Sequence, residues 1–96
     1  VNMYNNELNG VIPGLGWSGS LVLLDLTNNS LVGPIPKELG NSRGIFRLRL
    51  GHNNLNGSIP PELGNISSLG LLDFSSNNLS GEIPSQLAQI RNLEIL

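Results

Sequence analysis

The sequence predicts an α/β-type repeat solenoid: a right-handed superhelix with a concave parallel β-sheet and short extended or 3₁₀ segments on the convex side. Three observations carry that prediction. Leu26, Leu50 and Phe74 stand one 24-residue step apart, and the same step links Asn29, Asn53 and Asn77, then Gly33, Gly57 and Gly81. The pair Ile-Pro recurs with that step at 35–36, 59–60 and 83–84, followed by Leu39, Leu63 and Leu87. An earlier copy fits with one residue fewer, through Met3, Asn6, Leu8, Gly10, Ile12 and Pro13, the deletion falling where GLG replaces the KELG of residues 37–40. A repeat of this length is a unit that cannot bury its apolar side alone, so neighbouring copies must stack.

Each unit opens with a strand. In its L-x-L core alternate residues point opposite ways. Leu24 and Leu26, Leu48 and Leu50, and Leu72 and Phe74 therefore face a core, Leu96 begins the next such pair, and the residues between them face out. Equivalent strands stacked about 4.8 Å apart make a parallel sheet over a continuous core. The ladder residues Asn6, Asn29, Asn53 and Asn77 follow at the bend, where a side-chain amide can satisfy backbone groups that the turn leaves unpaired. Gly10, Gly33, Gly57 and Gly81 suit a tight or positive-φ corner. The prolines fix φ and remove a donor, which fits an irregular convex side. The expected segments run 1–23, 24–47, 48–71 and 72–96, about four repeats within one domain. With no polar or cysteine-paired cap at either end, the expectation is an uncapped piece of a longer horseshoe, marginal in isolation.

Composition removes several function classes. The net charge is -2 and only 12% of residues are charged, so no polycation for nucleic acid or anionic membrane is present. No apolar run approaches the roughly 18 residues of a membrane span. With no cysteine and one histidine, thiolate and His-rich metal sites are excluded. No nucleophile elbow or phosphate-cradling glycine loop occurs. Glu38 and Glu62 stand one repeat apart and serve to keep the convex side soluble. The chain is expected to be no enzyme and to hold no cofactor and no metal.

Binding is the better expectation, and the outward strand positions show where. The first column is Leu23, Arg47 and Leu71, and the second is Asn2, Asp25, Arg49 and Asp73. The third is Tyr4, Thr27, Gly51 and Ser75, and the fourth Asn5, Asn28, His52 and Ser76. These columns vary while the rest repeats, as a recognition face on a fixed scaffold would. The candidate ligand-binding set is Arg47, Arg49, Asp25, Asp73, His52, Leu23, Leu71 and Tyr4. Asp25, Arg49 and Asp73 lie side by side, so an exposed Asp-Arg-Asp ladder is expected, each link worth a few tenths of a kcal/mol. Arg47 stands between leucines with its charge unmet. Such a site favours a planar, bidentate carboxylate whose apolar flank rests on the leucines. Trp17, beside the one-residue deletion, is expected to plug the altered loop.

The unit L-x-x-L-x-L-x-x-N-x-L resembles the leucine-rich repeat, and its tail L-x-G-x-I-P-x-x-L-G resembles the plant-specific class of that family. The resemblance covers essentially the whole chain. It implies the extracellular horseshoe of a plant receptor-like kinase, with the membrane span and kinase outside this chain. Such a face binds a secreted peptide or protein ligand and signals through a co-receptor, in development or defence. Some receptors of this kind carry an R-x-R pair on the concave face that grips the free C-terminal carboxylate of a small secreted peptide; Arg47-Leu48-Arg49 is similar to it. A cell-surface or cell-wall location makes the N-x-S triplets at Asn28, Asn56, Asn65 and Asn78 glycosylation candidates, with Asn65, at the convex turn, the expected acceptor. A polygalacturonase inhibitor of the cell wall resembles the pattern equally well, and a scaffold segment without ligand contacts is the plainer alternative. An ice-binding surface needs regular ranks of Thr or Asn, which the mixed columns lack. A standard interface takes roughly 20 to 30 residues a side, so about four coils hold only part of one, such as an end of an extended peptide.

Overall fold

The computed structural model describes residues 9–12, 22–42 and 44–96. Along them run the strands β1 (Asn9–Val11), β2 (Leu23–Asp25), β3 (Ser30–Pro34), β4 (Arg47–Arg49), β5 (Asn54–Gly57), β6 (Leu71–Asp73), β7 (Asn78–Leu79) and β8 (Glu94–Ile95). Short 3₁₀ turns cover Lys37–Asn41, Pro61–Asn65 and Ser85–Gln89. Each coil thus runs strand, bend, second strand, 3₁₀ turn, and every strand pairs in parallel with its equivalent one coil on. The coils wind into a right-handed solenoid, the hand that crossovers between parallel strands adopt.

The first strands form the concave sheet, β2-β4-β6-β8. The second strands form another sheet, β1-β3-β5-β7, where the sequence indicated only separate extended pieces. The cause is backbone satisfaction: extended segments stacked at equal intervals pair with the next coil rather than leave their N–H and C=O groups bare. Pro34 fits because it closes β3, opposite Asn56. Between the two sheets and the 3₁₀ turns lies one core, in which Leu24, Leu48 and Leu72 meet Leu31, Leu55, Leu39 and Leu63.

Asparagine side chains lace the coils together. Asn53 Nδ2 donates to the carbonyls of Leu26 at 3.0 Å, Leu50 at 3.1 Å and Gly51 at 3.0 Å, while its Oδ1 accepts the Leu31 N–H at 3.1 Å. Asn77 repeats the set on Leu50, Phe74, Ser75 and the Leu55 N–H. The Leu50 carbonyl is therefore shared between Asn53 and Asn77, and the Leu26 carbonyl between Asn29 and Asn53. Asn6 lies outside the described residues.

The bends need left-handed backbone. Asn28, His52 and Ser76 take φ 61°, 55° and 55°, and Gly33 and Gly57 turn the next corner at 81° and 78°. Asn is the side chain that tolerates this region best, through local hydrogen bonding. His52→Asn, matching Asn28 one coil earlier, should raise the unfolding midpoint slightly, by about 0.5 kcal/mol in stability. A lower midpoint would contradict this account of the bend.

One register differs from the 24-residue step. That step aligns Leu96 with Leu48 and Leu72, yet the structure pairs Ile95 with Leu72 and Glu94 with Leu71. Ile95 packs against the core and Leu96 is 52% exposed. The turn before β8 is the reason: Asn92 takes φ 59°, a tightening not seen at the corresponding Ser68.

Candidate ligand-binding face

The concave sheet fixes the columns by register. Leu23, Arg47, Leu71 and Glu94 lie side by side, and so do Asp25, Arg49 and Asp73. Both arginines leave β4 on the side opposite the buried Leu48, two residues and so about 6.6 Å apart along the strand. Their side chains are long enough to converge on one group. Arg47 is exposed and Arg49 half-buried.

The Asp-Arg-Asp ladder does not form, although the three residues are neighbours. Asp25 Oδ1 accepts the Thr27 N–H at 3.0 Å. Asp73 Oδ1 accepts the Ser75 N–H at 3.0 Å and the Ser75 hydroxyl at 2.7 Å. Each carboxylate is thus drawn along its own strand, and among the described residues Arg49 makes no ion pair. A bond to a backbone N–H two residues on is local and already ordered, whereas a surface ion pair must immobilise a long arginine for little gain. Gly51 leaves the room for it: a Cβ there would stand 3.2 Å from Asp73 Oδ1 and from Ser75 Oγ. Among the described residues, neither arginine of the face has a carboxylate within ion-pair distance.

The apolar flank is present on both sides of Arg47. Leu71 is buried and Leu23 half-buried. Sequence reasoning missed Phe46, which precedes β4, is 51% exposed and holds its ring centroid 5.8 Å from Arg47 Cζ. The readable signal was Gly70, which leaves the equivalent place on the next coil empty. His52 lies past the end of β4, exposed on its left-handed bend. Tyr4 and Trp17 fall outside the described residues.

The glycosylation candidates lie on different surfaces. Asn56 and Asn78 are exposed and face each other in register on β5 and β7. Asn65 is exposed at the end of the second 3₁₀ turn, and Asn28 is exposed at the bend after β2. Among the described residues no cluster of His, Asp or Glu could hold a metal ion, and no helix is long and apolar enough to cross a membrane.

The family model described as Leucine Rich Repeat matches residues 20–42, 45–66 and 68–90. Among solved structures, the PEPR1–AtPEP1 complex is 37% identical with a TM-score of 0.92, the match covering 99% of this chain and 13% of that one. The Arabidopsis receptor kinase HAESA, in complex with the peptide hormone IDA and the co-receptor SERK1, is 36% identical with a TM-score of 0.92, over 99% of this chain and 16% of that one. The Arabidopsis thaliana BIR3–SERK2 complex gives 37% identity and a TM-score of 0.86, over 98% of this chain and 52% of that one. The chain thus spans from about an eighth to about half of these relatives' length. No curated protein sequence matches it.

Proposed function

Because the chain belongs to the leucine-rich-repeat family, we propose that it forms part of the extracellular horseshoe of a plant receptor-like kinase and that Arg47 and Arg49 bind the C-terminal carboxylate of a secreted peptide. The carrying observation is that, among the described residues, neither guanidinium group on this face of β4 has a carboxylate partner, while Asp25 and Asp73 are held by Thr27 and Ser75. An arginine fork matches a carboxylate in shape as well as charge, which a lysine would not. Relatives solved with a peptide hormone and a co-receptor support the class of partner. The chain's role is binding, with signalling left to a co-receptor and to membrane and kinase segments outside residues 1–96. Asn65, exposed on the convex turn away from the arginines, is the glycan acceptor in this reading.

The test uses the complete ectodomain and peptides selected on it from a library with free C termini. Arg47→Ala and Arg49→Ala should each weaken binding by about 10- to 100-fold, the range for a lost hydrogen bond to a charged group. Unchanged affinity in both variants would sink the reading.

A further inference from the structure

We propose that Phe46 is a specificity-determining residue of the arginine site, making it select a carboxylate-ended peptide whose last side chain is apolar. The inference rests on the reading of Arg47 and Arg49 given above and adds a second requirement to it. A phenyl ring left 51% exposed forgoes much of the stabilisation its burial would bring. Its position is nonetheless built into the fold. A Cβ on Gly70 would lie 2.7 Å from Phe46 Cε1 and 2.9 Å from Cζ, so the ring occupies the space that a side chain at 70 would need. From that seat it stands 5.8 Å from Arg47 Cζ, within the range of a cation–π contact.

Arg47 is thereby framed on three sides by apolar groups: Phe46 at the strand's start, Leu23 and Leu71 on the adjacent strands. The exposed Val22 extends the frame beside Leu23. An occupant that satisfies cation and frame together must carry an anion and an apolar group almost side by side. A free inorganic anion leaves the frame wet, and an internal Asp or Glu ends in the carboxylate with nothing apolar beyond it. The last residue of a peptide fits, because its carboxylate and its side chain leave the same Cα.

The complete ectodomain is offered free-C-terminus peptides that differ only in the last residue. Peptides ending in Leu, Ile or Phe should bind about tenfold more tightly than those ending in Ser or Asn. Phe46→Ala, which removes the ring, and Gly70→Ala, which unseats it, should both abolish that preference while C-terminal amidation still weakens binding. Equal affinity for all last residues with amidation still harmful would overturn the role of Phe46 and leave the arginine reading standing. A preference that survives both variants would also overturn it. Indifference to amidation would remove the arginine reading and this inference together.

Discussion

Asn53→Asp should destabilise the protein by about 4 kcal/mol, although it exchanges a single amide nitrogen for oxygen. The amide points its two hydrogens at the carbonyls of Leu26, Leu50 and Gly51. A carboxylate there loses every one of those bonds and turns a negative oxygen toward three others. The Leu31 N–H keeps its acceptor, so the loss is specific to the donor side. Because stability in a solenoid is nearest-neighbour, hydrogen exchange should accelerate first in β3 and β5, where the second and third coils meet. The penalty also carries a pH signature. The folded environment raises the carboxyl's affinity for its proton above the unfolded value, so the deficit is full at neutral pH, shrinks as pH falls through the raised folded value, and levels off below the unfolded value of about 4. Asn53→Ala, which adds no charge, should cost less and show no such pH dependence. A variant as stable as its parent at neutral pH would contradict the role given to the ladder.

Gly40→Ala should cost about 3 kcal/mol, for a reason on the opposite side of the coil. The added Cβ would run into the backbone carbonyl of Glu62 on the next 3₁₀ turn, and at Gly64 the equivalent obstacle is the Gln86 carbonyl at 2.7 Å. Backbone cannot rotate aside as a side chain can, so the turns must separate. The same change at Gly10, whose added Cβ meets none of the described residues within 4 Å, tests the distinction: there the penalty expected is that of φ 84°. Thermal unfolding of the two variants separates steric spacing from backbone strain. Equal midpoints for Gly40→Ala and the parent would show that the convex turns have slack.

Much of this architecture is legible in the repeat itself. The 24-residue step placed Leu24, Leu48 and Leu72 in the core and the asparagines at the bends, because each role has a residue-type signature that stacking repeats. The second sheet was less legible: short polar segments such as Asn54–Gly57 have no apolar alternation, and their pairing follows from backbone satisfaction alone. The position of Leu96 was misread because a one-residue tightening at Asn92 depends on conformation, not on spacing. The site shows the same division. Register correctly put Arg49 between Asp25 and Asp73, but adjacency in a column does not decide where a carboxylate points, and local bonds to Thr27 and Ser75 prevailed. Among the described residues Arg49 thus joins Arg47 in having no carboxylate within ion-pair distance, which the column alone did not show.

That pair is tested most directly by crossing C-terminal amidation of one bound peptide with the arginine variants of the complete ectodomain. Amidation should weaken binding to the parent by at least about tenfold. In the Arg47→Ala/Arg49→Ala double variant it should have no further effect, since the groups that read the carboxylate are gone. If amidation weakens binding to parent and double variant by the same factor, the carboxylate is read elsewhere and the account given for this face is wrong.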